Sequence, residues 1–260
     1  MKKLIHALVL TGLVGVPALA VAAEEESPHS LSANVTLTSD YIFRGISQSG
    51  GDPAIQGGFD YSHASGFYAG TWASNVGWLE DFQGYTKGNI EIDLYGGFRG
   101  PIGKSDFSFD VGAIQYMYPG DRPAGVPDAD TTEVYGALGW KWFTVKYSYY
   151  LSDEVFGIPS DGGDYLAISG SLPVGETGLT LGASWGTFGF DDVSAADYDD
   201  WSVSAAYDMG KLSKLGDGVT VGMKYTDTNA ESFWTEFAPP VGNSEFLGDS
   251  AFTVWVTKAF

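Results

Sequence analysis

The chain has 260 residues, with 33 Asp and Glu against 13 Lys and Arg, a formal net charge of −20, no cysteine, 36 Gly, 8 Trp, 15 Tyr and 16 Phe. A field of that sign repels phosphate-coated nucleic acid. The lack of thiols excludes a disulfide-stapled scaffold, thiolate metal sites and cysteine nucleophiles.

The chain opens on Lys2 and Lys3, an uncharged run from Leu4 to Ala22 interrupted by His6, and a small-residue exit at Ala20-Val21-Ala22-Ala23. This pattern predicts a cleaved signal peptide over residues 1–22. A retained transmembrane helix is disfavoured by the short core and by Pro17. Loss of Lys2 and Lys3 takes 13 basic residues to 11 against 33 acids and the net charge to −22. Residues 23–31 then read as a short periplasmic tail and 32–260 as one β-domain. No second apolar stretch reaches the length of a spanning helix, which excludes a helical membrane protein.

From Ser32 the sequence alternates with period two in segments of about ten residues, the length of a tilted membrane-spanning strand. Ser32 to Phe43 places Val35, Leu37, Ser39, Tyr41 and Phe43 on one face and Asn34, Thr36, Thr38 and Asp40 on the other. Ala54 to Ser62 repeats this, with Ile55, Phe59 and Tyr61 opposite Gln56, Gly58 and Asp60. In Gly66 to Val76 the face is ambiguous, because Phe67 and Ala69 compete with Tyr68, Trp72 and Val76. Asn89 to Arg99 is the cleanest segment. Further strands are expected at Asp106–Tyr118, Thr132–Trp140, Lys141–Leu151, Asp164–Leu172, Gly178–Thr187, Asp200–Met209, Gly218–Thr226 and Ser250–Phe260, which makes twelve.

The connections alternate in length. Long ones fall at 44–53, 77–88, 119–131, 152–163, 188–199 and 227–249, with short turns between them. An up-and-down antiparallel transmembrane β-barrel of the bacterial outer membrane has this alternation, an even strand count, extracellular loops and both termini in the periplasm. A soluble sandwich has no reason to keep it. Aromatic belts are expected at both ends of the oily face. On the loop side these are Tyr41, Phe43, Trp185, Trp201, Tyr225 and Phe252, and on the turn side Phe59, Tyr61, Phe98, Phe107, Trp140, Phe143, Tyr207 and Phe260. The last strand ends on Phe260 with Phe252, Val254 and Val256 in phase, resembling the C-terminal signal read by the outer-membrane barrel assembly machinery. Lys258 breaks the phase and is expected to snorkel.

Three stretches carry a family resemblance: Ser39-Asp-Tyr-Ile-Phe-Arg-Gly-Ile-Ser-Gln-Ser49, Pro53-Ala-Ile-Gln-Gly-Gly-Phe-Asp-Tyr61 and Gly66-Phe-Tyr-Ala-Gly-Thr-Trp-Ala-Ser-Asn-Val76. They resemble the TorF-type porin family of proteobacteria, long of unknown function. The resemblance is specific over residues 39 to 98 and implies an outer-membrane porin.

With the oily face toward lipid, the other parity lines a lumen bearing Asp40, Asp60, Glu91, Asp93, Asp110, Glu133 and Asp208 against Arg44, Arg99, Lys146 and Lys224. Excess acid favours passage of cations and neutral polar solutes. Asp40 and Arg44 share parity and suit either a constriction or a structural ion pair holding the first loop. The opposing reading is a lumen packed shut by paired charges, leaving a structural or surface-binding barrel whose loops do the work.

A barrel hydrolase is the third alternative. Beyond the leader only His29 and His63 remain, and neither falls on the loop side, so no catalytic residue is assigned. The acidic loop with Asp191, Asp192, Asp197, Asp199 and Asp200 lacks the calcium-loop spacing and reads as solvated or as sharing divalent ions with lipopolysaccharide. The expectation is therefore a monomeric porin-like channel without cofactor or resident metal, surrounded by outer-membrane lipids and lipopolysaccharide.

Overall fold

The computed structural model describes residues 27–230, 233–234 and 247–260, so the expected leader lies outside the described residues. Twelve antiparallel strands close into a barrel: β1 (His29–Thr38), β2 (Ala54–His63), β3 (Phe67–Asn75), β4 (Ile90–Pro101), β5 (Phe107–Met117), β6 (Thr131–Trp140), β7 (Phe143–Tyr150), β8 (Gly163–Pro173), β9 (Leu179–Phe190), β10 (Tyr198–Asp208), β11 (Val219–Thr228) and β12 (Ala251–Ala259). Each pairs with its sequence neighbours. Closure comes from β1 against β12, with Thr36 opposite Thr257 and Leu37 opposite Val256. Closure leaves no sheet edge.

Period-two alternation resolves into two chemically distinct walls. Leu37, Ile55, Leu94, Val111, Leu138, Val145, Ile168, Val203, Met223 and Val254 point outward and are exposed. Tyr68, Trp72, Glu91, Asp93, Asp110, Glu133, Lys146, Ser148, Tyr165 and Asp200 point inward and are buried. A monomer in water does not expose so continuous an apolar surface. The third strand's ambiguity is settled by Phe67 turning out and Tyr68 and Trp72 turning in.

On the turn side the outward rings form a chain: Phe67 to Phe98 at 4.9 Å, Phe98 to Phe109 at 5.7 Å, Phe107 to Trp140 at 6.4 Å and Trp140 to Phe143 at 6.2 Å. Phe59 and Phe260 are exposed at the same end, and Tyr61 and Tyr207 are half-buried there. At the loop side Trp201 meets Tyr225 at 5.6 Å, with Trp185 and Phe252 exposed nearby. Lys258 turns back so that its Nζ donates to the Asp217 carbonyl at 2.5 Å.

Most strand ends fall within two residues of expectation, and three differences matter. The first strand starts at His29, taking the last three residues of the 23–31 tail, and stops at Thr38 rather than Phe43. At Arg44 and Gly45 the backbone takes φ +46 and +84, a tight turn pairing Ile42–Phe43 with Ile46–Ser47. Two successive positive φ values are the signature of the two-residue hairpin turn. The segment after Thr38 leaves the wall, so Tyr41 and Phe43 belong to no lipid-facing belt. The third difference lies at β9 and β10, where pairing extends to Phe188 opposite Tyr198. The loop 191–197 is therefore shorter than the turn 209–218, where two 3-10 segments, Met209–Lys211 and Lys214–Gly216, take up residues.

Close approach across strands explains why glycines and tyrosines are both abundant. Gly70 faces Tyr95, Gly97 faces Tyr68 and Gly112 faces Tyr135 in register, and the tyrosine lies across the space a Cβ would fill. A ring covering a bare glycine keeps the narrow interior filled. At Gly112 an added Cβ would stand 2.7 Å from both the Tyr135 hydroxyl and the Gly96 carbonyl oxygen. Gly112→Ala is expected to cost about 1–3 kcal/mol through overpacking, read as a lower urea midpoint for the refolded barrel. An unchanged midpoint would show that the Tyr135 ring and the β4 backbone both give way without cost.

Candidate functional site

The segment 39–53 between β1 and β2, hereafter loop 1, crosses the lumen instead of standing above it. Tyr41 donates its hydroxyl to Glu91 on β4 at 2.9 Å and sets its ring edge-on to Trp72 of β3 at 5.3 Å. Phe43 meets Tyr116 near the end of β5 at 5.9 Å and Phe156 at 5.6 Å. At the tip, Gly45 lies against Asp200 of β10 and Thr228 of β11, and a Cβ there would stand 2.8 Å from the Asp200 Cβ. One loop thus reaches walls on both sides of the barrel.

Arg44 occupies the centre. Its Nη2 donates to Glu133 Oε2 at 2.6 Å, and its Nη1 donates to the Tyr150 hydroxyl. The guanidinium carbon sits 4.0 Å from the Tyr165 ring centre, 4.9 Å from Phe43, and 5.3 Å from both Tyr150 and Phe188. Delocalised charge over ring faces is a favourable pairing that strengthens where water is excluded. Arg44 and Glu133 are both buried. The carboxylate is saturated: Oε1 accepts from Lys146 Nζ at 2.9 Å and Ser148 Oγ at 2.7 Å, and Oε2 also accepts from Tyr116 at 3.1 Å. Lys146 lies 4.1 Å from the Tyr135 ring centre. Two cations and two hydroxyls therefore share one buried acid, the arrangement that makes an interior charge tolerable.

The other residues expected to line the lumen take separate partners. Asp110 accepts from Tyr68 at 2.6 Å, and Tyr68 also hydrogen-bonds Tyr135, while Arg99 sits 4.6 Å from the Tyr68 ring centre. Asp60 accepts from Tyr95 at 2.6 Å. Glu91 and Asp93 are buried on adjacent inward positions of β4, and Asp93 Oδ1 has no hydrogen-bond partner. Lys224 is half-buried on the inner wall of β11. Asp208 turns to its local backbone, accepting from Gly210 N–H at 2.9 Å.

Of the two arrangements open to Asp40 and Arg44, the ion pair between them is not formed. Asp40 accepts from Ser47 at 2.7 Å and Ser49 at 2.9 Å, bracing the loop, and Arg44 goes to Glu133. The tight turn separates the two side chains that an unbroken strand would have aligned.

Sequence reasoning placed Asp200 in a solvated acidic loop, whereas it lies buried on the inner wall of β10 and accepts from Tyr165 at 2.8 Å. The signal was present, because Trp201 faces lipid and its neighbour must face in. It also missed the inward tyrosines 68, 116, 135, 150 and 165, since a ring at either parity satisfies the alternation. In the acidic loop, Asp191 accepts from Tyr149 at 3.0 Å and Asp197 from Phe190 N–H at 2.8 Å, so these carboxylates hold local structure. His29 and His63 lie together at the turn end, ring centres 5.1 Å apart.

The inner wall is not uniform around the barrel. On β2, β8 and β10, Gly58, Asp60, Ser169, Ser202 and Ser204 are small or polar and only half-buried. The turn half of β3 to β5 instead carries the Tyr68, Arg99 and Asp110 cluster.

A closed twelve-stranded barrel with an apolar outer wall and a charged interior defines a transmembrane β-barrel, an architecture of bacterial outer membranes. The chain belongs to the family described as a bacterial protein of unknown function (Gcw_chp), whose model matches residues 22–260. Among solved structures it is similar to the NanC porin, 10% identical over 88% of this chain and 99% of that one, with a TM-score of 0.53. Looser likenesses are to a Y282R/D307H variant of OccD1 (OprD), 14% identical over 92% of this chain and 67% of that one at a TM-score of 0.44, and to Acinetobacter baumannii OccAB1, 12% identical over 92% and 66% at 0.45. No curated protein matches the sequence.

Proposed function

We propose that this protein is an outer-membrane channel for passive diffusion of small polar and cationic solutes, with loop 1 as its constriction, its loops extracellular and both termini periplasmic. The observation that carries the reading is the two-faced wall. Apolar side chains cover the outside, while Asp40, Asp60, Glu91, Asp93, Asp110, Glu133 and Asp200 outnumber Arg44, Arg99, Lys146 and Lys224 on the inside and on loop 1. Net negative lining raises the local concentration of cations. The porin role implied by the TorF resemblance agrees with this, and no catalytic role is assigned. The reading further has the barrel as a monomer, held among lipids and lipopolysaccharide and assembled through its Phe260-terminated strand.

A second reading has a specific observation behind it. The buried ring and charge cluster around Arg44, with loop 1 reaching walls on both sides, favours a barrel that is closed at rest and acts through its surface. Purified protein in planar bilayers separates the two. Stepwise currents with a reversal potential favouring cations are expected, either from the wild type or after Arg44→Ala. Silence from both would overturn the channel and leave the closed barrel.

A further inference from the structure

The groups around Arg44 are gathered from several strands of the wall. Everything that holds this guanidinium, apart from Phe43, comes from the wall: Glu133 from β6, Tyr150 from β7, Tyr165 from β8 and Phe188 from β9. One saturated carboxylate beside several ring faces is chemistry that selects a planar, delocalised cation over a compact ammonium. Lys146 already takes the ammonium position on Glu133 Oε1, leaving Oε2 and the Tyr150 hydroxyl as a pair suited to a guanidinium fork.

The occupant is unusual in how it is delivered. Arg44 sits on a loop, with a left-handed φ of +46 that non-glycine residues rarely adopt. Its Nε is buried without a hydrogen-bond partner. The backbone is thus strained and one donor unused in order to place the terminal fork. A free alkylguanidinium is under no such tether.

We propose that the Glu133, Tyr150, Tyr165 and Phe188 cage is the barrel's binding site for guanidinium-bearing solutes, filled at rest by Arg44 as an internal mimic. An entering solute displaces Arg44, detaches the tip of loop 1 from the wall and widens the path. The widening rests on the channel reading, while the site itself does not require conduction. A tethered group competes at an effective concentration of about a millimolar or more, so a free solute exchanges with it only in that range.

The test uses n-propylguanidinium as the probe and n-propylammonium as the control. In detergent, calorimetric titration of the folded Arg44→Ala variant should show propylguanidinium binding roughly ten-fold tighter than propylammonium, and Arg44→Ala/Glu133→Gln should lose that binding. Equal binding of the two probes, or survival of binding in the double variant, would overturn the site.

Should Arg44→Ala fail to fold, the otherwise wild-type chain carries the test. It has no cysteine, so Asp52→Cys, at an exposed position of loop 1, accepts a single spin label. Label mobility should rise with propylguanidinium at about 10 mM and not with propylammonium. An unchanged spectrum would equally overturn the proposal. Bilayer recordings on Arg44→Ala keep the two ideas apart: binding without current sinks the channel and leaves the site, and current without binding does the reverse.

Discussion

Replacing Glu133 with glutamine is expected to lower the stability of the folded barrel by about 3–5 kcal/mol, the cost of stranding buried charge when one partner of an ion pair is lost. The size follows from how many groups depend on that carboxylate. Arg44 and Lys146 bond to its two oxygens at 2.6 and 2.9 Å, and Ser148 and Tyr116 donate to it as well. Glutamine keeps the shape but offers one acceptor oxygen and no charge, so two buried cations face each other uncompensated. A second consequence reaches loop 1, because Arg44 is the link between its tip and the β6–β7 wall. Bilayer conductance of Glu133→Gln is therefore expected to exceed that of the wild type.

The companion variant Lys146→Met removes one of the two cations, and combined with Glu133→Gln it should recover part of the lost stability. A double-mutant cycle over the two sites reports the coupling directly. Urea titration in lipid vesicles is the measurement. A Glu133→Gln barrel within about 0.5 kcal/mol of the wild type, the ordinary range for substitutions away from such networks, would show that water already screens the site.

The barrel was legible in the sequence because a lipid-facing wall leaves no freedom in its pattern. Leu37, Ile55, Leu94, Val111 and Val203 had to recur at period two, and a slip of one residue would turn the charged set toward lipid. The inner parity was legible for the same reason, and Asp60, Glu91, Asp93, Asp110, Glu133 and Lys146 all lie inside.

Loop 1 escaped because its first residues continue the alternation. Val35, Leu37, Tyr41 and Phe43 are in phase, yet the chain leaves the sheet after Thr38 and turns back on itself at Arg44 and Gly45. Alternation specifies sidedness only while the chain stays in the sheet. The contrary signal was local, a Gly after Arg44 in the position where a two-residue turn needs positive φ, and it was outweighed by the periodicity. Pairing of Arg44 with Glu133 was out of reach for a different reason. The two are 89 residues apart, and only barrel closure brings loop 1 against β6.

Val203→Arg tests the membrane side of the argument and carries the second large expectation. Val203 is the central residue of β10, between Trp201 on the loop side and Tyr207 near the turn end, and 47% of its surface is exposed. In water such a position tolerates arginine with little loss. At the midplane of a bilayer the same change costs about 2–4 kcal/mol, since a guanidinium must be desolvated or must drag water and headgroups inward. Two controls fix the interpretation. Leu212→Arg lies in the turn after β10, beyond the aromatic girdle, and should cost no more than about 0–1 kcal/mol. Ser204→Arg is one residue away but faces the polar, half-buried interior, and should cost less than Val203→Arg despite the added bulk. Urea unfolding in vesicles ranks the three. A Val203→Arg loss no larger than that of Leu212→Arg would mean that the apolar wall meets something other than lipid.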